Sequence, residues 1–142
     1  CTSNPVTCTD PQIQNSNGLQ ATFACAAGGT LYSQTCANVF KDGGSCGAQT
    51  PVLGPVPALE NVRLQFDATR MKWLATWVDG ASLRAASVNP WDGGSTLISA
   101  SAVGSRPQPL VLSSGVSVVV SELDSSSAMF ANEIVVQRLC AP

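Results

Sequence analysis

The sequence contains no histidine. That single absence removes the Ser-His-Asp and Cys-His arrangements, in which an imidazole must take and return the proton, and every His-ligated catalytic metal. Charge is scarce as well. Asp, Glu, Lys and Arg make up 11% of the residues, against about a quarter in an ordinary globular domain. The seven basic residues, Lys41, Arg63, Arg70, Lys72, Arg84, Arg106 and Arg138, form no run, and the net charge is −2. Such a chain does not neutralise a phosphate backbone, so no nucleic-acid partner is expected. No apolar run is long enough to cross a membrane, the longest candidate being Val116 to Leu123, already broken by Ser117, Ser121 and Glu122. No glycine-rich phosphate loop opens a helix, so no nucleotide and no other cofactor is expected. No Asn-x-Ser/Thr acceptor is present, so N-glycosylation is not expected.

What the chain has is cysteine and β-pattern. The six cysteines are Cys1, Cys8, Cys25, Cys36, Cys46 and Cys140. Their number is even and none forms a Cys-x-x-Cys pair, so a zinc site is not expected and three disulfides are. That implies an oxidising compartment, and the chain is read as secreted and extracellular. The sequence starts at Cys1 without Met, which fits a removed leader; an acylated Cys1 is the rival reading and would leave an odd thiol. Five cysteines precede residue 47, so a bridge from Cys140 must run back to the N-terminal third.

At 142 residues with 44% apolar content, one domain with a real core is expected over 1–142. Residues 1–50 form a disulfide-rich segment with strands near Leu19–Cys25 and Leu31–Cys36. The uncharged run from Pro51 to Ala58 reads as an extended connection, and 59–140 as the main sheet region. There Val62, Leu64, Phe66 and Ala68 alternate with polar residues, the period of a half-buried strand. Met71–Val78 is apolar on both faces. Asp79-Gly80 then marks a hairpin into Ala81–Val88. Thr96–Val103, Leu110–Leu112, Val116–Val120 and Glu133–Leu139 follow as strands, with a short helix allowed only at Ser126–Glu133. The fold class is all-β: a single antiparallel sandwich or barrel.

Candidate binding residues are aromatic. Trp73 and Trp77 are four apart on one strand and therefore share a face, either as core or as a platform for sugar rings. Trp91 stands in a turn, flanked by Asn89 and Asp92, whose amide and carboxylate suit the hydroxyls of a glycan. Tyr32 follows Gly28-Gly29 and is a further candidate. Asp10, Asp42, Glu60, Asp67, Asp79, Asp92, Glu122, Asp124 and Glu133 are the only carboxylates. Asp42, Asp79 and Asp92 precede glycine and read as turn formers. No calcium loop such as the EF-hand pattern is present, so no metal is assigned.

The stretches Cys8-Thr-Asp-Pro-Gln-Ile13-Gln and Leu19-Gln-Ala-Thr-Phe-Ala-Cys25 resemble the first half of the cyanovirin-type lectins. In that family a cysteine, an isoleucine, a leucine and a second cysteine mark two disulfide-joined strands. The spacing from Cys8 to Cys25 is longer than the family's and no duplicated half follows, so none of its binding residues is carried over. The expectation is a secreted binding protein, lectin-like, for an extracellular glycan or a cell-surface partner. A secreted effector or inhibitor acting through neutral loops at Gly47–Ala58 or Ser105–Pro109 is the first alternative. A small glycosidase using two carboxylates is the second; no catalytic residue is assigned and no enzyme is expected.

Overall fold

The computed structural model describes residues 12–16, 20–38, 44–56, 59–79, 82–98, 105–124 and 132–139, and every regular element among them is a β-strand. In chain order they are β1 (Gln12–Ser16), β2 (Gln20–Ala27), β3 (Thr30–Ala37), β4 (Ser45–Cys46), β5 (Thr50–Leu53), β6 (Glu60–Asp67), β7 (Lys72–Asp79), β8 (Ser82–Val88), β9 (Ser95–Ile98), β10 (Ser105–Val111), β11 (Ser117–Asp124) and β12 (Asn132–Leu139). They form three antiparallel sheets, each assembled from consecutive strands. The first runs β1-β2-β3-β4 with β5 also on β3, the second β6-β7-β8-β9 and the third β10-β11-β12. The all-β antiparallel expectation therefore holds.

The second sheet lies in the middle. Trp73 pairs with Val88 and Ala75 with Ala86, and these residues pack with Ala24, Leu31, Val52 and Leu53 of the first sheet. The alternate positions, Leu74, Leu83, Ala85 and Ile98, pack with Val119 and Leu139 of the third. Successive side chains of a strand point to opposite faces, so a strand covered on both sides must be apolar on both. That is why Trp73 to Trp77 are buried without interruption. The molecule is a sandwich with an added layer.

Several expected boundaries move. Pro51–Leu53 is no connection but most of β5, with Val52 and Leu53 in the core. Ser105–Pro109 is no loop but the start of β10, and Pro107 and Pro109 are buried. Proline donates no N–H to a ladder. Both strands tolerate it because, among the described residues, β10 is the edge of its sheet and β5 pairs only with β3. Of the Gly47–Ala58 stretch expected as a contact loop, β5 takes up Thr50–Leu53, while 47–49 and 54–56 remain outside regular elements. Of the expected helix, Asn132 and Glu133 belong to β12 and 126–131 lie outside the described residues, as do 99–103 of the strand expected at Thr96–Val103.

Cys36 and Cys46 face each other across β3 and β4 and form a disulfide. Cys25 is also disulfide-bonded. Cys1, Cys8 and Cys140 lie outside the described residues.

Candidate functional site

Trp73 and Trp77 are each 1% exposed. Both belong to the core between the first and second sheets, and this corrects the reading of the pair as a sugar platform: no ring face is open to a ligand. Their indole N–H groups, and the Thr76 hydroxyl between them, have no hydrogen-bond partner among the described residues.

Trp91 sits at the tip of the loop from Asn89 to Gly94 and is 46% exposed. Its ring meets Phe66 edge to face, with centroids 6.5 Å apart. The loop is closed by its own polar groups. The Asn89 side-chain oxygen accepts from the Trp91 amide at 3.0 Å, an Asp92 carboxylate oxygen accepts from the Gly94 amide at 2.9 Å, and the Asn89 amide donates to the Gly94 carbonyl at 2.7 Å. Asn89 and Asp92 thus hold the turn, as short polar side chains do. The loop is also fastened to the first sheet. The buried Ser33 hydroxyl donates to the Pro90 carbonyl. Gly93 takes a positive φ so close to the Pro51 carbonyl that a Cβ would stand 2.9 Å from it.

Tyr32 lies on the same strand as Ser33 and opposite Pro51, but on the other face of the first sheet. There it borders a hollow of about 200 Å³ together with Phe23, Cys25, Gln34 and Gln49. Strand pairing explains the grouping, because Cys25 stands opposite Tyr32 and Phe23 opposite Gln34. The far wall is held by the segment after β4. The Gln34 side-chain amide donates to the Gly47 carbonyl at 2.9 Å. The Gly47 amide donates to the Thr35 carbonyl at 2.9 Å, and the Cys36–Cys46 disulfide pins the same stretch. Among the described residues, no Asp, Glu, Lys or Arg lines the hollow. Its described lining offers an aromatic face with amide donors and acceptors. Of the residues proposed from sequence, only Tyr32 belongs to it. Phe23 and Gln34 were missed; Gln49 falls in the Gly47–Ala58 stretch expected as an effector's contact loop. The first two follow from the cross-strand positions of Tyr32's neighbours once the register is known.

Each carboxylate whose side chain is described already has work in the fold. Asp79 pairs with Arg84 at 3.5 Å, Glu122 with Arg106 at 3.2 Å, and Asp92 caps its turn. Asp67 is buried at the end of β6. One of its oxygens accepts from the Thr69 amide at 3.0 Å, the Arg70 amide at 3.2 Å and the Thr69 hydroxyl. The other takes the Arg70 guanidinium at 2.7 Å. Burial pushes this carboxyl up, but the hydrogen bonds from Thr69 and Arg70 outweigh it and hold the carboxyl below its ordinary value. Among the described residues no three Cys, Asp or Glu side chains gather as metal ligands would.

No family model, curated protein or solved structure matches the chain.

Proposed function

We propose that this protein is an extracellular, disulfide-stabilised binding module that takes a neutral glycan in the hollow beside Tyr32. The observation that carries this reading is the uncharged lining: an aromatic ring with Phe23 near it and the amides of Gln34 and Gln49 at the rim. A sugar presents an apolar C–H face and a ring of hydroxyls, which such a lining complements by stacking and by paired hydrogen bonds. At about 200 Å³, the hollow is smaller than the roughly 300 to 1,000 Å³ of drug-sized sites, so one saccharide residue is the unit it accommodates. The disulfides support an oxidising, extracellular setting. Trp91 is exposed on a loop fastened to the opposite face of the first sheet and is a separate candidate contact.

A panel of neutral glycans screened by array and then by calorimetry tests the reading. Tyr32→Ala is expected to weaken binding at least about tenfold, the loss of one stacked ring, while circular dichroism stays that of the parent. No binding to any neutral glycan, or equal affinity in the variant, refutes it.

A second reading, contact with a cell-surface protein, is favoured by a different observation. The outer face of the third sheet exposes Leu110, Ile134 and Val136, and exposed apolar clusters mark interaction surfaces. Capture of a protein that free sugars do not displace, lost in Val136→Lys, supports this reading over the first.

A further inference from the structure

We propose a second binding site on this protein, for an oxyanion group, a carboxylate or a sulfate, in the hollow between Arg70 and Arg138. It goes beyond the glycan reading and does not depend on it. The hollow has a volume of about 340 Å³ and is lined by Arg70, Ser114, Gly115, Ser117 and Arg138. Three parts of the fold meet there: the β6–β7 turn of the second sheet brings Arg70, the β10–β11 turn brings Ser114 and Gly115, and the end of β12 brings Arg138.

Arg70 is built in rather than loose. Its Nη1 donates to Asp67 at 2.7 Å and to the Gly115 carbonyl at 2.8 Å. This fixes the plane of the guanidinium and leaves its Nε–H and Nη2–H₂ groups for another acceptor. Arg138 is exposed and makes no ion pair among the described residues. Lys72, the register partner of Asp67, lines the adjoining recess, which shares Arg70 and Ser117 with the hollow. Arg70 and Lys72 border the recess of Asp67, whose carboxylate is only 6% exposed and already committed to Arg70.

No carboxylate among the described residues lines the larger hollow. Arg70 and Arg138 border this space together with Ser114 and Ser117. Guanidinium forks and hydroxyl donors together match the oxygens of a carboxylate or sulfate.

The test is a ¹H–¹⁵N NMR titration of the whole chain at fixed ionic strength. The probes are sodium sulfate, sodium acetate, a monosulfated uronic-acid disaccharide and neutral glucose. Saturable shifts of the Ser114, Gly115 and Ser117 amides are expected with the anionic probes and not with glucose. Arg138→Gln, an exposed substitution that leaves the fold alone, is expected to weaken them about tenfold, the loss of one charge-assisted contact. Tighter binding of the disaccharide than of sulfate or acetate assigns the anion to a saccharide. Equal affinity assigns the site to the free ion. Tyr32→Ala leaves all these shifts unchanged, which keeps the outcome separate from the glycan site. Shifts that never saturate, or that are the same in Arg138→Gln, overturn the proposal.

Discussion

Replacing Asp67 with asparagine removes a charge and leaves most of the β6–β7 turn intact. An amide oxygen keeps the role of Oδ1, accepting from the Thr69 and Arg70 amides and from the Thr69 hydroxyl. The amide nitrogen, however, then stands where Oδ2 accepted the Arg70 guanidinium at 2.7 Å, and two donors face each other. One charge-assisted hydrogen bond is lost, worth about 1.5 to 3 kcal/mol. Arg70 is 47% exposed on its side chain and can turn to water, so solvent screening places the cost near the lower end, about 1.5 kcal/mol at neutral pH. For a chain of this size that lowers Tm by about 3 to 6 °C.

Urea unfolding followed through tryptophan emission measures it, since Trp73 and Trp77 are buried and become wet on unfolding. The pH dependence gives an independent check. The folded carboxyl lies below its ordinary value, so the native state binds its proton less readily than the unfolded chain. The stabilisation is therefore fully present above the unfolded Asp value of about 3.9 and is lost as pH falls through the folded one. The gap between parent and Asp67→Asn should close over that acidic window. A variant as stable as the parent at pH 7, or a gap unchanged on acidification, refutes the reasoning.

Thr76→Val should stabilise the protein. The Thr76 hydroxyl is fully buried and unpartnered among the described residues, and removing it relieves a desolvation cost of about 1 to 3 kcal/mol while keeping a β-branched shape suited to a strand. A Tm below the parent's would show that the hydroxyl has a partner. Cys36→Ala combined with Cys46→Ser opens the disulfide across a separation of 10 residues, which should cost about 2 to 3 kcal/mol on the chain-entropy account. Hydrogen exchange should quicken at the Gly47 amide, which donates to the Thr35 carbonyl. Glycan affinity should fall with it, because Gln49 and the Gln34–Gly47 contact belong to the same pinned segment. Unchanged exchange at Gly47 would show that the ladder alone holds this wall.

Two kinds of information were separable here. The β pattern was local, and the sequence alone determined it. Val62, Leu64 and Phe66 announced β6 by their period of two, and the doubly apolar Trp73 to Trp77 announced a strand covered on both faces. Asp-Gly and Asn-Pro turns marked where the chain reverses, because turn residues act through their own φ and side-chain hydrogen bonds. The lack of histidine limited the chemistry in the same direct way.

Tertiary structure decided the rest. Period two says which residues share a face and is silent on which face another sheet will cover. Trp73 and Trp77 share a face, and only the approach of the first sheet buries it. Tyr32, a weaker candidate by sequence, is left beside an open hollow because its face points away from that core. The prolines of β5 and β10 read as breakers until the sheet order placed them on strands with an unpaired side. Arg70 and Arg138 are 68 positions apart in the sequence, and nothing local joins them. The stacking of the third sheet on the second does, since burying Leu74, Val119 and Leu139 together brings the β6–β7 turn to the end of β12.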